Sequence, residues 1–341
     1  MSKKELLARA LCATRTLSLA SALWPKPARE VKILAYHRVL DVADDDEFLF
    51  DLDLISASTE DFDWQVRHAR DNYDPITFAE LIDCLDGRQQ LPKKPLIFTF
   101  DDGFDDNYEY AFPCLKRHGV PATIFISTDY IGGDRTYWFD WVVYLINHLG
   151  GRDVELPALQ QSFPIPAELA ARREFAQSFL ERLKRVPDAA RCAAVDELQQ
   201  IAGIDFPAGG FRDSRPMSWE QVGEMAIAGI EFGSHTASHP ILKQVPDADL
   251  ERELGDSKRI IEQRIDTACD VIAYPVGGAH AYDERIIEHV KRCDYRLAAS
   301  YQSGINPLDS LQRFALKRVH VEREVCREQF AASLALPALF A

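Results

Sequence analysis

Short apolar runs that alternate with amphipathic helices constrain the fold of this chain most. The run 95–100 (PLIFTF) is apolar throughout, a helix is predicted at 107–118, and a second apolar run follows at 121–127 (PATIFIS). A strand, a helix and a strand with short joints form a βαβ unit, whose strands pair in parallel beneath covering helices. Further short strands are predicted at 31–36, 230–232, 271–274 and 295–298. The pattern predicts an α/β fold, a distorted parallel (β/α) barrel, complete or incomplete, with its site beyond the strand carboxyl ends.

The alternation also divides the chain. We assign residues 31–133 and 216–325 to the barrel. Residues 134–215 begin with an aromatic stretch and continue rich in Ala, Leu, Glu, Arg and Gln, without a strand signal, so we expect a mostly helical insertion. Residues 1–30 are predicted to be an N-terminal helical segment, and residues 326–341 a C-terminal helix or tail.

Charge and cysteine content narrow the class of protein. The net charge of −15 disfavours nucleic-acid binding, which needs clustered Lys and Arg. Seven scattered cysteines without a CxxC pair argue against a disulfide scaffold and favour reduced thiols in the cytoplasm. Neither property indicates an oligomeric state.

The first 24 residues are moderately apolar. Arg9 and Arg15 interrupt the run, so we do not expect a secretory signal, and cytoplasmic action is the expectation. At helical spacing one face would carry Leu6, Leu7, Ala10, Leu11, Leu17 and Ala20. Such a helix either docks on the protein or associates weakly with a membrane surface.

Polar residues that could carry chemistry follow four of the predicted strands. Asp101 and Asp102 end one strand, and His235 and His239 follow another; His37 ends the first, and 275–278 (PVGG) ends a fourth. Two neutral imidazoles and one carboxylate leave an open position on a zinc ion for water. Neighbouring carboxylates diverge, so the second one can serve as a base. The alternatives are an acidic helix cap at 101–103 and two surface histidines.

Three of these segments resemble the successive motifs of the polysaccharide deacetylase family: 99–103 (TFDDG), 234–239 (SHTASH) and 273–277 (AYPVG). The segments 35–39 (AYHRV) and 119–125 (GVPATIF) also resemble members, so the likeness spans 33–321 apart from the insertion. Members are metal-dependent carbohydrate esterases acting on N-acetyl sugars.

The resemblance implies a role for each matching residue. Asp101 would be the catalytic base, and Asp102, His235 and His239 would bind one divalent ion, zinc by default. The backbone N–H of Val276 would stabilise the oxyanion. We also expect His37, Tyr274 and Pro275 to contact the substrate.

Two positions depart from the family pattern. Many members carry an arginine that orients the catalytic aspartate where this chain has Ala273. The histidine that usually serves as general acid has no clear counterpart, and His320 is the nearest candidate. The four aromatic residues that open the insertion could stack on sugar rings, but we expect most of them to be core: Tyr137, Trp138, Phe139 and Trp141.

The sequence therefore predicts a hydrolase that removes N-acetyl groups from an amino-sugar polysaccharide or its precursor, in exopolysaccharide biosynthesis. One alternative is a deacylase of a small amide, a lipid-linked sugar or an O-acetyl ester. Another is a non-catalytic carbohydrate-binding protein on the same fold, which the intact Asp101, Asp102, His235 and His239 disfavour.

Overall fold

The structure of the protein is a computed structural model that describes residues 3–14, 16–24 and 29–340. Its strands are β1 Glu30–Tyr36, β2 Arg38–Val39, β3 Ile55–Ala57, β4 Asp74–Pro75, β5 Pro95–Phe100, β6 Thr123–Ile126, β7 Asp153–Leu156, β8 Gln161–Pro164, β9 Glu231–Ser234, β10 Val271–Ala273, β11 Leu297–Ser303, β12 Asn306–Pro307 and β13 Leu316–His320.

Helices cover and connect these strands. The α-helices are α1 Lys3–Ala13, α2 Leu17–Leu23, α3 Thr59–Asn72, α4 Phe78–Leu85, α5 Phe112–His118, α6 Trp138–His148, α7 Leu169–Leu183, α8 Asp188–Ala202, α9 Trp219–Ile227, α10 Asp247–Leu250, α11 Ser257–Ile265, α12 Glu284–Arg292, α13 Arg327–Ala335 and α14 Pro337–Phe340. One short π-helix, Asn107–Ala111, leads into α5, and another, Glu251–Asp256, joins α10 to α11. Short 3₁₀ turns lie at Leu52–Leu54, Pro157–Leu159, Leu242–Gln244 and Leu308–Ser310.

Seven strands close into a parallel barrel. Around the ring the order is β1, β5, β6, β9, β10, β11 and β13, and β13 pairs with β1 again. Every pairing in this ring is parallel. The predicted barrel is therefore confirmed, and it is closed.

Burial on both faces explains the continuous apolar runs of the barrel strands. In β5, Leu96, Phe98 and Phe100 pack in the large cluster shared with the surrounding helices. Ile97 points the other way, into a second cluster that also holds Ile33 of β1. Successive strand residues face opposite sides, so a strand covered on both sides must be apolar at nearly every position.

The insertion is mostly helical, as predicted, with α6, α7 and α8. It also contains the antiparallel pair β7 and β8, which the sequence analysis missed. In β7 only Val154 and Leu156 alternate with exposed residues, so the two-residue period is too short to stand out. Its buried side chains join the same core cluster as the barrel, so the insertion has no core of its own.

The two ends of the chain pack together. The predicted single apolar face near the N-terminus is wrong, because α1 and α2 are separate helices. Leu11 and Leu17 pack beside Ala332 and Leu336 of the C-terminal helices, whereas the Leu6 side chain is 51% exposed. Arg15 lies outside the described residues. None of the helices that the structure describes is long and apolar enough to cross a membrane.

Candidate active site

A cavity of about 530 Å³ opens at the carboxyl ends of the barrel strands. From the barrel it is lined by His37, Asp101, Asp102, His235, His239, Tyr274, Val276, Gly278 and Tyr301. The structure therefore brings together seven of the nine residues singled out from the sequence. Pro275 and His320 do not line the cavity.

Asp102, His235 and His239 form a group that can hold a metal ion, with their ligand atoms all within 4.8 Å of one another. The Nε2 atoms of His239 and His235 lie 3.2 and 3.5 Å from Asp102 Oδ1. His235 Nδ1 contacts the Ala273 carbonyl at 2.8 Å. A carbonyl only accepts, so Nδ1 carries the proton and Nε2 keeps its lone pair for a ligand.

The chemistry of this group fits a divalent ion. Burial lowers the pKa of His235 to about 4 and that of His239 to about 3, so both rings are neutral at pH 7. Asp102 Oδ1 is buried without a hydrogen-bond donor, which is costly unless a cation satisfies it. Burial also raises the pKa of Asp102, and a bound cation would oppose that shift. Two imidazoles and a carboxylate form a donor set that zinc accepts.

Strained backbone places these ligands. The backbone angle φ lies between 55° and 72° at four positions, Asp102, Thr236, His239 and Val276. Residues other than glycine rarely adopt these values. Each such residue costs about 1–3 kcal/mol unless its surroundings fix it. The Tyr137 hydroxyl donates to the Asp102 carbonyl, and Trp138 Nε1 donates to the His239 carbonyl at 3.0 Å.

A buried carboxylate fixes the loop between the two histidines. Glu253 accepts hydrogen bonds from the N–H of Ala237 at 3.1 Å, the N–H of Ser238 at 2.9 Å and the Ser238 hydroxyl at 2.8 Å. The spacing of four residues thus corresponds to a tight loop and not to one face of a helix.

Arg318 clamps Asp101, a contact that the sequence analysis missed. Its NH1 and NH2 donate to the two oxygens of Asp101, each at 2.7 Å, and its Nε donates to the Ser300 carbonyl at 2.8 Å. Burial by itself would raise the pKa of Asp101, but Arg318 and His235 outweigh it and hold that pKa well below its ordinary value. The guanidinium that Ala273 does not provide thus comes from β13.

The turn after β10 borders the cavity and carries a backbone N–H without a hydrogen-bond acceptor among the described residues. The N–H of Gly277 donates to the Pro275 carbonyl at 2.7 Å, whereas that of Val276 has no partner among the described residues. A Cβ at Gly277 would lie 2.4 Å from the backbone nitrogen of Tyr301, so only glycine fits there. Pro275 shapes this turn from a buried position. Tyr274 lines the cavity, but its hydroxyl is engaged by the Phe314 carbonyl at 3.0 Å.

The two candidate histidines outside the metal group differ in position. His37 lines the cavity, with Nε2 3.9 Å from Asp101 Oδ2, and burial lowers its pKa. His320 stacks on the Tyr301 ring at 3.8 Å, and its Nε2 is buried without a partner. Burial lowers the pKa of His320 to about 4. The geometry therefore favours His37 over His320 for contact with a substrate.

All four aromatic residues at the start of the insertion are buried, in agreement with a core role: Tyr137, Trp138, Phe139 and Trp141. Two of them, Trp138 and Phe139, also line the cavity. The Phe139 ring lies 5.1 Å from the His239 ring and packs against the metal group. These residues thus connect the insertion to the site.

The wall of the cavity opposite the barrel was not anticipated from the sequence. It comes from the loop after β2, from helix α7 of the insertion and from the residue that follows α7: Asp51, Asp53, Leu54, Gln177, Leu180, Glu181 and Lys184. These residues belong to no motif. The two groups, at 51–54 and 177–184, are more than 120 positions apart, and no spacing pattern in the sequence predicts that they meet.

Asp63, Cys114 and His118 form another group with metal-ligand geometry, outside the cavity. Asp63 already pairs with Arg117 at 2.6 Å and with Arg67 at 3.0 Å. These guanidinium groups satisfy the carboxylate and repel a further cation, so we assign this group a structural role.

A closed parallel barrel carries at its carboxyl end a carboxylate–imidazole group that can hold a metal ion and a separate carboxylate clamped by an arginine, an arrangement that fits a hydrolase. The family model described as polysaccharide deacetylase matches residues 88–160 and 187–298, more than half of the chain. The chain belongs to the polysaccharide deacetylase family, whose members are hydrolases acting on amide bonds.

Individual relatives agree with this assignment. YxkH of Bacillus subtilis (strain 168), a protein assigned to the polysaccharide deacetylases, is 23% identical over 274 residues, 80% of this chain and 68% of that protein. The poly-beta-1,6-N-acetyl-D-glucosamine N-deacetylase of Escherichia coli (strain K12) is 33% identical over 99 residues, 29% of this chain and 14% of that protein. The Streptococcus pyogenes deacetylase PplD, solved in complex with acetate, shares the fold. Its TM-score is 0.59 at 19% identity, over 93% of this chain and 100% of that one.

Proposed function

We propose that this protein removes N-acetyl groups from an amino-sugar polysaccharide or its precursor, with one bound divalent ion, zinc by default. The observation that carries the proposal is the division of labour in the cavity. Asp102, His235 and His239 form a neutral-imidazole and carboxylate group, while Asp101 beside it is held by Arg318. A binding module would need neither arrangement, which argues against the non-catalytic alternative.

The residues around the cavity divide the chemistry of amide hydrolysis. A divalent ion, when bound, polarises the acyl carbonyl and acidifies a water molecule. Asp101 takes the proton of the attacking water, and Arg318 keeps this carboxylate ionised and oriented at some cost in basicity. The free N–H of Val276 donates to the oxygen on which negative charge develops.

The leaving amine needs a proton, and we assign its delivery to His37. Its Nε2 lies 3.9 Å from Asp101 Oδ2 and borders the cavity. Its lowered pKa disfavours the protonated ring before the reaction, so the proton that His37 delivers is the one that Asp101 takes from the attacking water and passes on. His320, the candidate from the sequence, is separated from the cavity by the Tyr301 ring.

The names of the relatives support an N-acetylglucosamine polymer as substrate. Curated relatives from Escherichia coli and Staphylococcus aureus are named poly-beta-1,6-N-acetyl-D-glucosamine N-deacetylases, although the matches cover only 14% and 40% of those proteins. A small amide, a lipid-linked sugar and an O-acetyl ester remain alternatives, since the same groups would hydrolyse them. We propose the cytoplasm as the place of action, in keeping with seven cysteines that are all free.

Acetate release after metal exchange tests the proposal. The protein is stripped with a chelator, reconstituted with Zn²⁺, Co²⁺ or Mn²⁺, and incubated with β-1,6- and β-1,4-linked N-acetylglucosamine oligomers. We expect acetate and free amine in equal amounts, only with metal. No acetate from these oligomers, together with acetate from an O-acetylated sugar, would indicate an ester substrate. Full activity of the stripped protein would contradict the metal site.

A further inference from the structure

The cavity has a second wall whose polar groups have no part in the chemistry described above. The barrel supplies Asp101, the candidate metal ligands Asp102, His235 and His239, and the turn after β10 that carries Val276. The opposite wall combines Asp51, Asp53 and Leu54 with residues of α7 in the insertion. A sugar whose acetyl group reaches the barrel wall must place its ring hydroxyls against this other surface.

Asp51 is the residue of this wall that is built to bind a ligand. Its side chain is only 6% exposed and borders the cavity. Its Oδ1 accepts from Gln177 Nε2 at 2.7 Å and from the N–H of Asp53 at 3.0 Å. Its Oδ2 has no hydrogen-bond partner among the described residues. A carboxyl group of a residue buried to this extent normally has both oxygens hydrogen-bonded, so Oδ2 is left for water or a ligand.

The hydrogen bonds around Asp51 fix its orientation from both flanks. The backbone N–H of Asp51 donates to Asp140 Oδ1 of α6 at 3.0 Å, and Gln177 of α7 holds the side chain. Two helices of the insertion therefore position a carboxyl group that belongs to the loop after β2. Capping of the 3₁₀ turn Leu52–Leu54 accounts for Oδ1 alone and leaves Oδ2 unexplained.

We propose that Asp51 Oδ2 binds a hydroxyl group of the carbohydrate substrate, and that the insertion exists at this site to hold Asp51 in place through Gln177. The proposal rests on the proposed function for the identity of the ligand. Burial, with Asp140 and Asp53 nearby, raises the pKa of Asp51 to about 7. Near neutral pH the carboxyl group can thus donate to a hydroxyl oxygen or accept from a hydroxyl proton.

Binding of a β-1,6-linked N-acetylglucosamine tetramer to the metal-free protein, measured by isothermal titration calorimetry, tests this role without turnover. Asp51→Ser keeps a capping oxygen but does not reach the cavity. We expect its dissociation constant to rise about tenfold, the effect of one lost hydrogen bond to a carboxyl group. Asp51→Asn, which preserves the shape, should recover part of the loss. The control Asp153→Asn, exposed on β7, should bind like the wild type.

The outcomes separate this inference from the proposed function. A folded Asp51→Ser variant with unchanged affinity overturns the inference. If that variant does not fold, Gln177→Leu decides, because it keeps the carboxyl group and removes its support. About threefold weaker binding then supports the inference, and unchanged affinity overturns it. Tetramer binding without hydrolysis by the reconstituted wild type contradicts the proposed function alone. Hydrolysis by the reconstituted wild type, with unchanged affinity of Asp51→Ser, contradicts the inference alone.

Discussion

Asp101 and Asp102 are neighbours in the sequence, yet the regions of the site that they occupy are opposites. Both oxygens of Asp101 are bonded by the Arg318 guanidinium, which holds its pKa well below the ordinary value. Asp102 faces two neutral imidazoles, and its Oδ1 has no donor. The difference teaches that surroundings, and not residue type, suit one carboxylate to the proposed role of base and the other to that of metal ligand.

The largest effect is expected on the Asp102 side. Asp102→Ala removes the only carboxylate of the metal group, so bound metal and acetate release should both fall to background. Elemental analysis after dialysis and an acetate assay measure the two quantities. Metal retained at one equivalent per chain would show that Asp102 is not a ligand.

On the Asp101 side the same kind of change should spare the metal. Asp101→Asn keeps the size of the side chain but cannot take a proton. We expect kcat to fall by about 10²- to 10⁴-fold, the usual contribution of a general base, with bound zinc unchanged. Loss of metal together with activity would break the comparison.

Replacing His37 and His320 in turn tests which of the two histidines is the general acid. His37→Gln should lower kcat about 10²-fold, because His37 borders the cavity near Asp101. His320→Gln, the matched control behind Tyr301, should change kcat less than about threefold, since no proton transfer depends on it in this scheme. The reverse order would return the role to His320.

Removing the clamp should affect both activity and stability. Arg318→Met leaves Asp101 buried without its cation, so we expect a loss of about 3–5 kcal/mol in the free energy of unfolding. Activity should fall about 10- to 100-fold through misorientation of the base, with zinc binding retained. Urea unfolding and steady-state kinetics measure these effects; a stability equal to that of the wild type would show that the pair is dispensable.

Asp140 is a third buried carboxylate and, unlike Asp101, it has no hydrogen bond from a guanidinium group among the described residues. Asp140 accepts from the N–H of Asp51 and from the Ser214 hydroxyl, and burial raises its pKa to about 6. The folded state therefore binds the Asp140 proton more tightly than the unfolded state does. The stability that this bound proton contributes is lost as pH rises from about 4 to about 6. In Asp140→Asn, the loss of unfolding free energy over this window should be smaller by about 2 kcal/mol. An unchanged pH dependence would contradict the assignment.

Motifs made the barrel side of the site predictable. The apolar runs fixed the strands, and parallel strands bring their carboxyl ends to one rim, so Asp101, Asp102, His235 and His239 were expected together. Arg318 was missed because it lies in no motif, and its contact with Asp101 depends on β13 closing the ring beside β1. The absence of an arginine at position 273 was the one available signal that another cation must serve.

The insertion side was beyond prediction for a different reason. Asp51 and Gln177 meet only because α7 packs over the cavity, and no periodicity encodes a contact across that distance in sequence. The N-terminal helices show the same limit, since their apolar residues are divided between α1, which ends at Ala13, and α2, which begins at Leu17. Local patterns determine elements, whereas the packing of the elements determines which polar groups face each other.

Zinc binding to Asp101→Asn and Asp102→Asn, compared side by side by calorimetry at pH 7, tests most directly whether the two carboxylates have separate roles. The account predicts that Asp101→Asn binds one zinc ion within about threefold of the wild-type affinity. It predicts that Asp102→Asn loses at least about 100-fold, because a direct ligand matters more than the groups that orient it. Equal losses in both variants, or none in either, would contradict the account.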